Sequence, residues 1–319
     1  MQTAKKQKTI QERAKLFARN FKRDWQLHLL ILYPVLRVLL FSYGPMYGVQ
    51  IAFRDYRPLA GITGSEWVGL QWFQEFLTSF NFLTILKNTV VLSVFSMLVN
   101  FPLPVIFALI LNALRGEKFK KTAQTISYVP HFISTAVIIS IVTMVLSPTS
   151  GIYGSLYRLL GGEGYPTDFR GLADTFRPIY IFSGTWATLG WNSILYTSAL
   201  SSVSMELHEA AMIDGASRFK RILYVDIPAI APTIAIRLIL AMGSLIGVGF
   251  EKAYMLQTNL NLEVSEVIST YVFKKGFSSF RMYSYSTAVG LFETAINVTL
   301  LLIVNKIAKK VSDGEVAVL

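Results

Sequence analysis

The chain has 319 residues, with 30 Lys and Arg against 19 Asp and Glu, a formal net charge of +11. Yet 53% of it is hydrophobic, 15% is charged and the mean hydropathy is +0.47, more apolar surface than a soluble fold of this size can bury. Disorder, collagen and coiled coil are excluded, and the lack of cysteine excludes a disulfide framework, a thiolate zinc site and a thiol nucleophile.

Residues 1–26 form a basic tail in which Ile10, Ala14, Phe17 and Phe21 recur at helical spacing, which predicts an amphipathic helix on the inner membrane surface. Six apolar segments follow, each long enough for a hydrocarbon core of roughly 30 Å. They cover 27–53, 84–114, 126–146, 178–200, 231–254 and 283–307. Pro34, Pro45, Pro102 and Pro104 fall in the first two and are expected to bend or break them. Arg37 lies ten residues into the first span, about 15 Å deep at roughly 1.5 Å per residue. An unpaired charge there costs from about 2.5 kcal/mol, so Arg37 is expected to face substrate or a partner helix.

In the fourth span Trp186, Trp191 and Asn192 offer aromatic faces and an amide suited to sugars, with core packing as the alternative. In the fifth, Arg237 is expected to snorkel toward the cytoplasm, whereas Glu251 and Lys252 belong near the outer end. Gly243 and Gly247 there form a G-x-x-x-G that favours close helix contact. Glu293 and Asn297, one turn apart in the sixth span, bind sugar hydroxyls or brace the bundle.

Orientation follows from Lys and Arg, which concentrate in cytoplasmic loops. Eight precede Leu27, four lie in 115–121, three in 203–230 and three after Val304, 18 in all. The opposite loops hold eight, balanced by eight acidic residues. Both termini are therefore expected in the cytoplasm, with 309–319 as a short tail. The positive charge follows the membrane and is no nucleic-acid footprint. The first apolar run is too long for a cleavable signal and is expected to be retained.

The most patterned stretch is the loop 203–230 between spans four and five. Met205–Ile213 reads as a short helix with acidic residues in its first turns and small residues at Ala210 and Ala211. Asp214-Gly215 reads as a break, and 216–225 as a second short helix before Pro228 and Pro232 return the chain to the membrane.

Glu209-Ala210-Ala211, Asp214-Gly215-Ala216, Phe219 and Ile227-Pro228 with Pro232 closely resemble the cytoplasmic EAA loop of ABC-importer permeases. Ile-Pro replaces the usual Leu-Pro, and His208 stands where Tyr is common. The resemblance extends from the first span to the C-terminus. Residues 43–54, 267–272 and 285–292 are similar to carbohydrate-importer permeases for products of polysaccharide breakdown, alginate importers among them.

That resemblance implies an all-α integral membrane protein with the type I ABC-importer permease fold in 27–308, in a bacterial inner membrane. It implies a heterodimer with a second permease, two ABC ATPase subunits that carry ATP and Mg, and an extracytoplasmic binding protein. The substrate would be an oligosaccharide of acidic, alginate or uronate type. Glu209, Ala210, Ala211, Asp214, Gly215, Ala216, Phe219 and Pro228 would couple to the ATPase, and the chain itself would bind no cofactor.

Two rival readings stand against this one. An ion-coupled secondary transporter of sugars would be expected to carry internal repeats, and none is clear. A membrane enzyme finds no support: His28, His131 and His208 are isolated from one another, and no catalytic, metal-binding or phosphate-loop motif occurs.

Overall fold

In a computed structural model the described residues are 22–114, 116–277 and 282–311. The expected amphipathic helix around Ile10 to Phe21 and most of the C-terminal tail lie outside them. The chain divides into two compact units, meeting in sequence after Val68, and among the described residues both are mainly helical.

The first unit opens with α1 (Trp25–Val38), which carries Pro34 inside it and Arg37 in its last turn. The chain then widens into a π turn over Leu39–Tyr43, tightens through Gly44–Met46 and ends as a 3₁₀ helix over Tyr47–Phe53. Pro45 has no N–H for the carbonyl four residues earlier, and the wider turn just before it absorbs that loss. Two short antiparallel strands, β1 (Arg54–Asp55) and β2 (Glu66–Trp67), pair Arg54 with Trp67. The Trp67 ring stacks on Phe53 at 5.6 Å and lies 5.3 Å beneath the Arg54 guanidinium.

The second unit begins at Gly69. Helices α2 (Phe82–Asn100) and α3 (Pro102–Ala113) are two parts of one apolar run broken at Phe101, as the prolines lead one to expect. Next come α4 (Glu117–Tyr128) and, after a 3₁₀ turn over Val129–Phe132, α5 (Thr135–Val145). The pair is bent by 104°, so the continuous helix expected over 126–146 is not formed. Pro130 lies in the turn, and the Ser134 side chain caps α5 by accepting from the Val137 N–H.

Helix α6 (Ala173–Ser201) covers the expected fourth span in 29 residues. Among the described residues four helices are long and apolar enough to cross a membrane, or five with the bent pair. The hydroxyl, glycine and aromatic content of α6 keeps it below that apolarity. At Gly190 a Cβ would overlap the Ser127 carbonyl, so glycine there lets α6 touch the backbone of α4.

After α7 (Met205–Ile213) and a turn at Gly215, the chain is helical without interruption over Arg218–Met242. It comprises Arg218–Arg221, a π turn over Ile222–Asp226 and α8 (Ile227–Met242). The separate second loop helix expected over 216–225 is therefore replaced by an extension of the helix that carries the expected fifth span. Pro228 sits in the first turn of α8, and the π turn before it accommodates the missing N–H.

Conversely, the helix expected over 231–254 stops early, because residues 243–249 leave it before α9 (Phe250–Leu256). Gly247 lies in this break, so the G-x-x-x-G is not one helical face. Gly243 alone makes close contact, against Leu301 of α11. Helices α10 (Ile268–Phe277) and α11 (Tyr283–Val311) complete the unit.

A buried cluster of Leu92, Ile139, Phe176, Tyr180, Val248 and Ala253 joins α2, α5 and α6 to the break and α9. Phe76, Ile246, Ile268, Tyr271, Tyr285 and Val289 form a second core around α10 and α11. Ala108, Tyr196, Leu200 and Ile230 form a third, under the start of α8.

Candidate functional site

Non-helical backbone at membrane depth is stable only where protein or a cavity satisfies it. The 243–249 break meets this requirement through named partners. Asn297 Oδ1 accepts from the Ile246 N–H at 3.0 Å, and Ser269 Oγ donates to the Val248 carbonyl at 3.3 Å. The Gly249 N–H reaches the Tyr180 hydroxyl. Bracing is thus the role the structure gives Asn297. Glu293, one turn earlier on α11, is half-buried.

Beside the break is a cavity of about 290 Å³, lined by α2, α6, α8, the break and α9. Lys252, Arg237, Asn192, Asn100, Ser93 and Ser96 supply its polar wall. Lys252 Nζ donates to the Tyr180 carbonyl at 2.9 Å and lies 3.7 Å above the Tyr180 ring. Gly184, one turn after Tyr180, leaves room for that ammonium, since a Cβ there would overlap Nζ.

Arg237 is half-buried in the same cavity, within hydrogen-bonding reach of the Tyr196 hydroxyl. It does not snorkel away from Lys252. The break prevents the fifth span from carrying Lys252 a further three turns along a straight axis, so residues expected at opposite ends share one cavity. Glu251, beside Lys252, is exposed.

The other sequence candidates are dispersed. Trp186 lines a separate apolar hollow with Phe182 and Val145. Trp191 stacks on His131 at 4.4 Å with Phe132 edge-on, and so packs against the bend between α4 and α5. Only Asn192 of this group reaches the Lys252 cavity, because successive helical positions point about 100° apart. Arg37 is exposed at the end of α1.

Sequence reasoning missed Ser93, Ser96, Asn100 and Tyr180. The first three stand at i, i+3 and i+7 of the otherwise apolar second half of α2, residues 90–100, a polar stripe that the sequence displays.

The loop 203–230 folds as a second candidate site. Ser204 caps α7 by accepting from the Glu206 N–H. Gly215 adopts φ +74°, the left-handed conformation that ends α7, and Ser217 caps the next helix. Glu209, Ala210, Asp214, Gly215 and Pro228 are exposed, Ala211 and Ala216 half-buried. Ile213 and Phe219 project with 87% and 73% of their surface free.

On the inner side of α7, His208 Nε2 lies 3.3 Å from Asp226 Oδ1, with side chains 16% and 5% exposed. This contact sets α7 against the base of α8. Among the described residues no group of His, Asp and Glu is arranged to hold a metal.

Comparison with known proteins identifies the family and the fold. The family model described as "binding-protein-dependent transport system inner membrane component" matches residues 90–313. Protein LplB of Bacillus subtilis (strain 168) is 42% identical over 289 residues, covering 91% of this chain and 90% of that protein. The polygalacturonan/rhamnogalacturonan transport system permease protein YteP of the same organism is 41% identical over 284 residues, covering 89% and 88%. A chain in the crystal structure of a bacterial alginate ABC transporter, in complex with alginate pentasaccharide-bound periplasmic protein, is 34% identical. It superposes with a TM-score of 0.83 over 94% of this chain and 99% of its own. The helical fold is accordingly that of a type I ABC-importer permease, a transport subunit and not itself an enzyme. The chain belongs to the family of inner-membrane components of binding-protein-dependent transport systems.

Proposed function

We propose that this permease moves oligosaccharides of acidic, alginate or uronate type, delivered by an extracytoplasmic binding protein and driven by ATP hydrolysis on two partner ATPases. A second, homologous permease would complete the pathway. The observation that carries the reading is the broken fifth span, where irregular backbone, two cations and several hydroxyl and amide groups converge on one cavity. The names of YteP and of the alginate transporter support the class of cargo.

In this reading 27–308 forms six spans with both tails, 1–26 and 309–319, in the cytoplasm. The loop 203–230 docks on an ATPase. Glu209 pairs with a cation there, Ala210 and Ala211 permit close approach, and Asp214, Gly215 and Ala216 shape the turn. Phe219 supplies an apolar anchor, and Pro228 marks the return to the membrane. Arg37 adds positive potential to the pathway.

The test is reconstitution with the partner subunits and binding protein. Uronate oligosaccharides should stimulate ATP hydrolysis and enter the vesicles only with ATP. Stimulation by neutral sugars alone would remove the acidic cargo, and uptake independent of ATP would remove the mechanism.

A further inference from the structure

The Lys252 cavity is unusual in its charge. It is lined by two basic side chains and no carboxylate, and among the described residues neither Lys252 nor Arg237 has an ion-pair partner. Cations taken out of water are costly unless an anion or several acceptors compensate them. Lys252 has one acceptor, the Tyr180 carbonyl, and the face of the Tyr180 ring. An ammonium has three donors, so this satisfies it in part.

A second, independent deficit lies in the same lining. Ser93 Oγ and Ser96 Oγ are buried without a protein hydrogen-bond partner, and Ser93 is only 5% exposed. Buried hydroxyls are rarely left unpaired. A ligand matched to this lining would offer an anion to the two cations and hydroxyl partners to the two serines. At about 290 Å³ the space stands at the lower edge of ligand pockets, which run from roughly 300 Å³ upward, and suits one sugar ring.

We propose that this cavity is a station for a single uronate ring, with Lys252 and Arg237 taking the carboxylate and Ser93, Ser96 and Asn192 the ring hydroxyls. The assignment rests on the acidic-oligosaccharide reading and adds that the charge is read inside this subunit. Gly184 is part of the device. By exposing the Tyr180 carbonyl it parks the ammonium at the cavity wall when no sugar is present, and the carboxylate draws it off as the chain passes. A phosphate or lipid headgroup would engage the same cations but would have no need of the two hydroxyls.

The experiment uses the whole complex. Uptake of a uronate oligosaccharide and of its neutral methyl ester is compared at saturating binding protein for wild type, Lys252→Gln, Arg237→Gln and Lys252→Arg. Each Gln variant should lose about tenfold in uptake of the acid, the worth of one charge-assisted hydrogen bond, with the ester nearly unaffected. Lys252→Arg should recover much of the loss. Gly184→Ala should mimic Lys252→Gln in part, because its methyl displaces the ammonium.

As a readout free of the binding protein, galacturonate should raise the melting temperature of the wild-type complex. Galactose and inorganic phosphate should not, and Lys252→Gln should abolish the shift. Normal acid uptake together with an unchanged galacturonate shift in both Gln variants would overturn the station while leaving the transport reading intact. Equal stabilisation by phosphate would reassign the cavity to a general anion site. A wild type that neither takes up uronates nor is stabilised by galacturonate would remove the transport reading and the station together.

Discussion

At Ile246 a backbone N–H that has left its helix finds its acceptor in Asn297, a side chain fifty-one positions away on α11. In a medium without water such a donor has no alternative partner, so losing the acceptor costs the desolvation of the N–H in full. Asn297→Leu should therefore destabilise the protein by about 1–3 kcal/mol, read as a lower denaturation temperature of the purified protein. Asn297→Asp keeps an acceptor and should retain more of that stability; equal loss in both variants would deny the bond its role. The spacing of Glu293 and Asn297 made their shared helical face legible. Which backbone Asn297 would meet was not, because the meeting depends on where another helix stops. The same limit applies to Trp191, whose stacking on His131 requires a bend between α4 and α5 that hydropathy does not report. Lys252 and Arg237 were each visible as cations in an apolar run, yet a straight fifth span separates them.

The decisive element is the helix over Arg218–Met242, which joins the exposed loop to the cavity without a hinge. Its sequence carries Pro228 and Pro232, which ordinarily argue for a boundary, and a π turn reconciles the first of them with continuity. Local rules foresaw α7 residue for residue, because its capping serine and terminal glycine act within a few positions. They could not foresee that α7 is tied sideways to this helix through His208 and Asp226. If the loop moves with a docked ATPase, this contact is the point at which α7 would carry the base of α8 along. Replacing His208 by Phe, or Asp226 by Asn, should leave ATPase subunits bound but lower the sugar imported per ATP hydrolysed. Asp226→Asn retains hydrogen-bonding capacity and should be the milder change. An unchanged transport-to-hydrolysis ratio in both variants would reduce the contact to a local fastening. Ala211→Trp acts differently, since added bulk at this half-buried position of the loop should release the ATPases and abolish transport altogether.

For the molecule as a whole, composition made the membrane legible, and the 18-to-eight distribution of Lys and Arg gave it a direction. The bend between α4 and α5 and the break at 243–249 were hidden because hydropathy averages over windows longer than the breaks themselves. Helix α6 is the critical case for the six-span reading, since it is among the longest helices yet falls outside the four most apolar ones. Length decides in its favour: 29 residues at about 1.5 Å each give roughly 43 Å, more than the roughly 30 Å hydrocarbon core. The polar residues that dilute it are accommodated inside the bundle, where Thr185 donates to Asn100 and Ser193 is fully buried. If α6 spans, the loop before it and the loop after α7 lie on opposite sides of the membrane. The cysteine-free chain makes this directly measurable through Thr167→Cys and Ser217→Cys, both at exposed positions. An impermeant thiol reagent added to intact cells stripped of their outer barriers should label position 167 and leave 217 untouched, and inside-out vesicles should reverse the pattern. Labelling of both from the same face would take α6 out of the membrane, and the six-span topology with it.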